Sequence, residues 1–130
     1  MRATATQRSK FTHDVSVRKH RMTADEPEDM GGEDLGPNPQ ELLAASLAAC
    51  TAITMEMYAK RKGWNVDGLA VECDYQPAER GAVTRFELIM KMPAHLSDEQ
   101  VQKLKVIAAK CPVHRTLEGE VAFDERVELA

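Results

Sequence analysis

Three side chains in this sequence have chemistry that depends on where the fold puts them: Cys50, Cys73 and Cys111. A cysteine reacts as its thiolate, so the question for each is what would hold negative charge on its sulfur. Cys111 opens the stretch "CPVHRTLEG", Cys111 to Gly119. The residue before a proline avoids helical angles, and proline itself starts helices well. Cys111 is therefore expected at the N-cap of a short helix that Gly119 closes. A sulfur there meets the positive end of the helix and free backbone N–H groups, which favour the thiolate. His114 and Arg115 stand within about a turn as further sources of positive charge. The competing reading is a weak cap on an ordinary turn. Cys50 is different, because it falls in the middle of "PNPQELLAASLAACTAITMEMYAKRKG", where a helix offers no free N–H. Among apolar neighbours its pKa is expected to rise, and only an incoming cation, most simply an arginine, would make it reactive. Cys73 lies on an alternating segment and reads as strand packing.

Other chemistries find little support. Cys111 and His114 form C-x-x-H, half of a zinc site at best, and His13, His20 and His95 are scattered. No C-x-x-C, H-x-x-x-H, G-x-S-x-G or phosphate-binding glycine motif occurs, so no metal and no cofactor is expected. The formal charge is −4, and the basic runs "VRKHR" and "KRK" are short and diluted by acids. They read as solvated faces, and no nucleic-acid partner is expected. "MRATATQRSK" has no apolar run behind its basic residues, and no run of 18 apolar residues exists, so no membrane partner is expected. The simplest location is the cytoplasm, where thiols are kept reduced. Three cysteines cannot form a full disulfide set, and a pair there would be redox-active or metal-binding sooner than structural.

The elements that would position these thiols can be read from the pattern. At 130 residues, with 43% apolar and 29% charged residues, the chain fits one globular domain, residues 1–130. Residues 10–23 carry Phe11, Val15, Val17 and Met22 at loose strand-like spacing, which suggests one long strand or a strand pair. "DEPEDMGGEDLGPNP", Asp25 to Pro39, is a loop long enough to suggest a role such as covering a site. A helix of about 24 residues, roughly 36 Å, follows. Asn38 is its N-cap, Pro39 its first residue and Glu41 its capping-box carboxylate. Lys60, Arg61 and Lys62 suit its C-terminal end, and Gly63 suits a left-handed cap. With only Ser46, Thr51 and Thr54 as a thin polar face before Glu56, the helix is expected to be buried nearly all round. Val66 to Pro93 reads as a hairpin turning at "PAERG": Leu69, Val71, Cys73 and Tyr75 share one parity in the first arm, and in the second Val83, Arg85 and Glu87 lie on one parity and Phe86, Leu88 and Met90 on the other. "LSDEQVQKLKVIAAK" is a second helix capped by Ser97 and Gln100, with Val101, Leu104 and Ala108 as its stripe. "EVAFDERVEL" offers a final strand through Val121, Phe123 and Val127. The order gives an α+β fold with a mostly antiparallel sheet and a long central helix.

The two cysteine-bearing blocks together, "GPNPQELLAASLAACTAITMEMYAKRKGW" and "CPVHRTLEG", resemble the osmotically inducible protein C / organic hydroperoxide resistance (OsmC/Ohr) family. The resemblance is strongest to its OsmC-like branch, through Ala24–Pro27, Gly31–Gly32 and Gly36–Pro37, and covers about Ala24 to Gly119. It implies an intertwined homodimer whose strands wrap around two long central helices. It also implies a peroxidatic role for Cys50 and a resolving role for Cys111. A Cys50 thiolate would attack the O–O bond of an organic hydroperoxide, giving a sulfenic acid and an alcohol. Cys111 would condense with the sulfenic acid to a disulfide, and an external dithiol or low-molecular-weight thiol would reduce it. By this resemblance, oxidation links Cys50 to Cys111 and not to Cys73. Well-studied members carry a glutamate directly after "NP", paired with an arginine that activates the thiolate. This chain has Gln40 there and Glu41 one later. Glu41 is thus a candidate for the activating site as well as the helix cap, and Arg8, Arg18 and Arg21 are all candidates for the arginine. The expectation is a thiol-dependent peroxidase of organic hydroperoxides. A non-enzymatic OsmC-like protein that binds an apolar small molecule in the same pocket, at the dimer interface, is the alternative, and a metal-dependent dimer is third.

Overall fold

The computed structural model describes residues 1–129. Its backbone contacts gather into two compact units. Met1–Ala45 and Pro77–Thr84 form the first; Ser46–Gln76 and the chain from Arg85 onward form the second.

The first unit holds a three-stranded antiparallel meander. Strands β1 (Ala3–Ser9), β2 (Thr12–Val17) and β3 (His20–Ala24) lie in the order β1-β2-β3. The sequence pattern finds β2 and β3, which pair Val15 with Met22 and Val17 with His20. It misses β1, whose seven residues "ATATQRS" are all exposed and so carry no apolar alternation to detect. The residue buried at the start of β2 is Thr12, while Phe11 is 52% exposed. Beyond β3, the Asp25–Asn38 segment is a folded loop with one 3-10 turn at Glu28–Met30. Asp25, almost fully buried, organises it. One carboxylate oxygen accepts from Thr12 Oγ1 at 2.8 Å and Leu35 N at 3.2 Å, the other from Glu26 N at 2.7 Å. Two glycines permit this packing, because a Cβ on Gly32 would fall 1.9 Å from Glu26 O and one on Gly36 2.2 Å from Thr23 O.

Helix α1 (Pro39–Lys62) has the 24 residues its caps predict. Asn38 Oδ1 accepts from Glu41 N at 2.8 Å, and Glu41 Oε1 accepts from Asn38 N at 2.9 Å, closing a reciprocal cap. At the other end Gly63 takes a φ of 73° and Trp64 N donates to Ala59 O at 2.9 Å. By length and composition alone α1 is apolar enough to cross a bilayer, a test that core helices of globular domains also pass.

In the second unit, β4 (Ala70–Gln76) and β5 (Arg85–Lys91) form the expected hairpin. Val71 faces Met90, Cys73 faces Leu88 and Tyr75 faces Phe86, the last two rings stacked 4.4 Å apart. Helix α2 (Asp98–Ala108) starts at the Ser97–Gln100 capping box and buries Leu104, Ile107 and Ala108. Met55 and Ala59 of α1 pack with Leu96, Leu104 and Ala108 into the core of this unit, under Trp64, Val71 and Met90. Helix α3 (Pro112–Glu118) ends at Gly119.

Two expectations do not hold. Helix α1 is not buried all round: its buried residues are Leu47, Thr51, Met55 and Ala59, a single i, i+4 stripe, while Ile53 and Met57 are 51% and 60% exposed. The second unit packs its core on one side of the helix, and an apolar opposite face is not covered by being apolar. Nor does "EVAFDERVEL" form a strand: among the described residues no strand lies beyond β5, and Val121, Phe123 and Val127 are largely exposed. Alternation marks a potential strand, but a strand exists only where another backbone edge takes up its N–H and C=O groups.

Candidate thiol site

The fold brings Cys50 of α1 and Cys111 into hydrogen-bond contact within the second unit. Both are free thiols; Cys111 is fully buried and Cys50 half-buried. Cys111 is the N-cap of α3, in extended conformation at φ −61° and ψ 138°. Pro112 at the first helical position has no N–H to offer, so the free donors of this helix start are Val113 N and His114 N. His114 N donates to Cys111 Sγ at 3.3 Å, and Val113 N reaches both sulfurs. Thr51, one residue after Cys50, sets its hydroxyl within reach of Cys111. Thr54, one turn after Cys50, does the same for Cys50.

These neighbours treat the two sulfurs differently. Burial pushes the Cys50 thiol up, and the contact with Cys111 adds to that rise, outweighing the Val113 N–H and the Thr54 hydroxyl. Burial also acts to raise Cys111. The hydrogen bonds from Cys50, His114 N, Thr51 and Val113 N outweigh it and hold this thiol below its ordinary value. The sequence-based expectation for each sulfur, Cys50 up and Cys111 down, is what the geometry gives.

The remaining candidates lie elsewhere. Glu41 occupies the α1 cap. The Arg8 guanidinium pairs with Asp14 and reaches Thr23 Oγ1 at 3.3 Å. Arg18 sits in the β2–β3 turn with a left-handed φ of 53°, and Arg21 lies on β3. Cys73 is half-buried on β4, its thiol pushed up by burial and then by Asp74. The His114 ring binds Glu118 through Nε2, its buried Nδ1 has no hydrogen-bond partner among the described residues, and His114 serves Cys111 through its backbone N–H. Sequence reasoning missed Thr51, Thr54 and Val113 as neighbours of the sulfurs. The one signal was that both threonines belong to the thin polar face of an otherwise apolar helix. Among the described residues, no three His, Cys, Asp or Glu side chains converge to hold a metal ion. In the first unit, an apolar concavity of about 470 Å³ is lined by residues that include Phe11, Val15, Ala24 and Leu42.

Comparison with curated proteins gives no significant match. Solved structures do match. An OsmC-like protein from Mycoplasma pneumoniae is 21% identical over 91% of this chain and 86% of its own, with a TM-score of 0.76. An organic hydroperoxide resistance protein from Elizabethkingia anophelis is 24% identical over 90% of this chain and 86% of its own, at a TM-score of 0.68. A Legionella pneumophila protein described as an organic hydroperoxide resistance protein OsmC and predicted redox protein is 18% identical over 92% and 90%, at 0.66. At these identities the likeness is one of fold: mixed α+β, antiparallel sheets and a long helix. The sequence profile of the OsmC-like proteins matches residues 31–126, a span that takes in α1, Cys50, Cys111 and all of α3. By that match the chain belongs to the OsmC-like protein family.

Proposed function

We propose that this chain is a thiol-dependent peroxidase that reduces organic hydroperoxides with Cys50 and Cys111. The observation that carries this reading is the contact between two free sulfurs far apart in sequence, one half-buried and one fully buried. Cys50 is the sulfur a peroxide can reach, so it is the peroxidatic residue. It attacks the O–O bond, takes the distal oxygen as a sulfenic acid and releases an alcohol. Cys111, in contact with Cys50, attacks that sulfenic sulfur, and the resulting disulfide is reduced by an external dithiol or low-molecular-weight thiol. Family membership and the described function of two structural neighbours favour the same chemistry. Glu41 enters the reading as the carboxylate that starts the helix carrying Cys50.

In the same reading the chain works in the cytoplasm, as a homodimer. The exposed apolar side chains of α1, Ile53 and Met57, and the unpaired alternating segment from Val121 to Val127 favour a second copy. Both would be covered by intertwining of the kind the family resemblance implies. The test is consumption of cumene hydroperoxide with dithiothreitol. Wild type should turn over, Cys50→Ser should not, and non-reducing peptide mapping should find a Cys50–Cys111 bridge. Equal, slow consumption by both proteins would sink the proposal. The apolar concavity of the first unit favours the alternative, a non-enzymatic protein that holds an apolar small molecule, and equal consumption would leave that reading standing.

A further inference from the structure

Tyr58, near the C-terminal end of α1, collects more positive charge than its ring can use. The Arg61 guanidinium lies 5.8 Å from the ring centroid, and Lys62 Nζ and Lys103 Nζ each lie 5.7 Å from it. All three cations belong to the second unit, two from α1 and one from α2. They are exposed, and among the described residues none of the three side chains makes an ion pair or a hydrogen bond. A cation over an exposed aromatic face contributes about 0.5–1 kcal/mol, and a ring has two faces. A third cation gains no face of its own and is repelled by the other two, whose fields reach it at a Debye length of about 8 Å. The C-terminal dipole of α1 suits Arg61 and Lys62. Lys103 comes from another helix. It leaves Glu99, four residues before it at the spacing that best forms a helical ion pair, and approaches Tyr58 instead.

We propose that this cluster binds the phosphate group of a small soluble molecule. A guanidinium presents a planar fork that matches two phosphate oxygens, and the ammonium groups add point charges that tolerate different orientations. The Tyr58 hydroxyl, which has no hydrogen-bond partner among the described residues, is a neutral fourth donor. A phosphate dianion offsets the mutual repulsion of the three cations, as no acid among the described residues does. Beside the cluster, a concavity of about 540 Å³ is lined by residues that include Glu56, Lys60, Trp64, Asn65 and Asp67. Trp64 joins the two, because its ring also meets Tyr58 edge to face with centroids 5.7 Å apart. The concavity gives room for the body of the molecule, with the indole for an apolar part and the acids and amide for hydroxyl or amino groups. The same acids, and a chain charge of −4, oppose docking on an extended anionic surface such as a lipid bilayer. The run Lys60–Lys62 reads from sequence as a solvated face because Lys103 joins it only in the fold. The site uses neither Cys50 nor Cys111, so it does not rest on the peroxidase reading.

The probe is inorganic pyrophosphate, titrated calorimetrically into the full chain at low ionic strength with the thiols kept reduced. Wild type should bind one equivalent per chain, and the fluorescence of Trp64, the single tryptophan, should change with the same midpoint. Lys103→Ala and Lys62→Ala should each weaken binding by about fivefold, the upper end for one exposed ion pair. Lys105→Ala removes the same charge from the same helix at a position that does not face Tyr58, and it should bind as wild type does. Circular dichroism checks the fold of each variant. No saturable binding by wild type overturns the proposal, and so does binding that leaves Trp64 fluorescence unchanged. An equal loss in Lys103→Ala and Lys105→Ala also overturns it, because pyrophosphate would then sense only overall charge. The last arm is sedimentation with vesicles of phosphatidylcholine doped with phosphatidic acid. Wild type should stay in the supernatant; sedimentation with the vesicles would move the phosphate to a lipid headgroup and overturn the soluble ligand.

Discussion

Replacing Thr51 by valine removes one hydroxyl from a fully buried position and leaves most of the side-chain volume in place. Thr51 Oγ1 lies 2.8 Å from Leu47 O and within hydrogen-bond reach of Cys111. A hydrogen bond to a charged partner is worth about 1.5–3 kcal/mol. The hydroxyl has a single hydrogen, so bonding the Cys111 thiolate means giving up Leu47 O. That competition puts the net value at the lower end, about 1.5 kcal/mol, by the same range. One pH unit corresponds to about 1.36 kcal/mol, so Cys111 in Thr51→Val should ionise about one unit higher than in wild type. Stability should fall by no more than about 1 kcal/mol, because a helix carbonyl such as Leu47 O keeps its main-chain partner. Thr51→Ser restores the hydroxyl and should bring the ionisation back towards the wild-type value. The assay is absorbance near 240 nm against pH, with a thermal melt of each protein alongside. A valine variant that titrates with wild type, or a serine variant that moves as far as valine, would refute the hydrogen bond from the Thr51 hydroxyl to the Cys111 sulfur.

Three further outcomes follow from other parts of the structure. Gly36→Ala should destabilise the protein by about 1–3 kcal/mol or more in urea unfolding, because the new Cβ would lie 2.2 Å from the rigid carbonyl oxygen of Thr23. Asp25→Asn should lower Tm at pH 7, and its deficit should shrink in acid. Burial acts to raise the Asp25 carboxyl, but bonds from Thr12, Glu26, Leu35 and Glu33 hold it below its ordinary value. Such a group adds stability above its unfolded value near 3.9, and that stability is lost as pH falls through the lower folded value. A deficit that stays constant from pH 7 to 3 would contradict the assignment. Glu41→Gln keeps a capping side chain and removes its charge; peroxide turnover should stay within about threefold of wild type. A drop of a hundredfold, about 2.7 kcal/mol, would show that the charge itself takes part in the chemistry.

Local signals were strong enough to fix much of the chain from sequence. The caps at Asn38–Glu41 and Ser97–Gln100 and the Cys-Pro pair at Cys111–Pro112 each depend on residues within one turn, and each forms as the side chains dictate. The hairpin faces of β4 and β5 follow from period-two alternation in the same way. The opposite tendencies of Cys50 and Cys111 were also legible, since they reflect mid-helix and helix-start positions. Where sequence reading failed, the missing information was nonlocal. Strand β1 has no apolar alternation and owes its existence to the edge of β2. The segment from Val121 to Val127 has the alternation and, among the described residues, pairs with no strand edge. Asp25 looks like one acid among many in its loop, and only the closure of Leu35 and Thr12 around it makes it a buried anchor.

For the site itself, the sequence determined which residues carry sulfur and how each helix treats its own cysteine, because capping and burial along a helix are set by near neighbours. Tertiary structure alone decided that the two sulfurs touch and that Thr51, Thr54 and Val113 N surround them. Contacts of that kind join residues sixty positions apart, and no local pattern specifies the packing of one helix start against the middle of another.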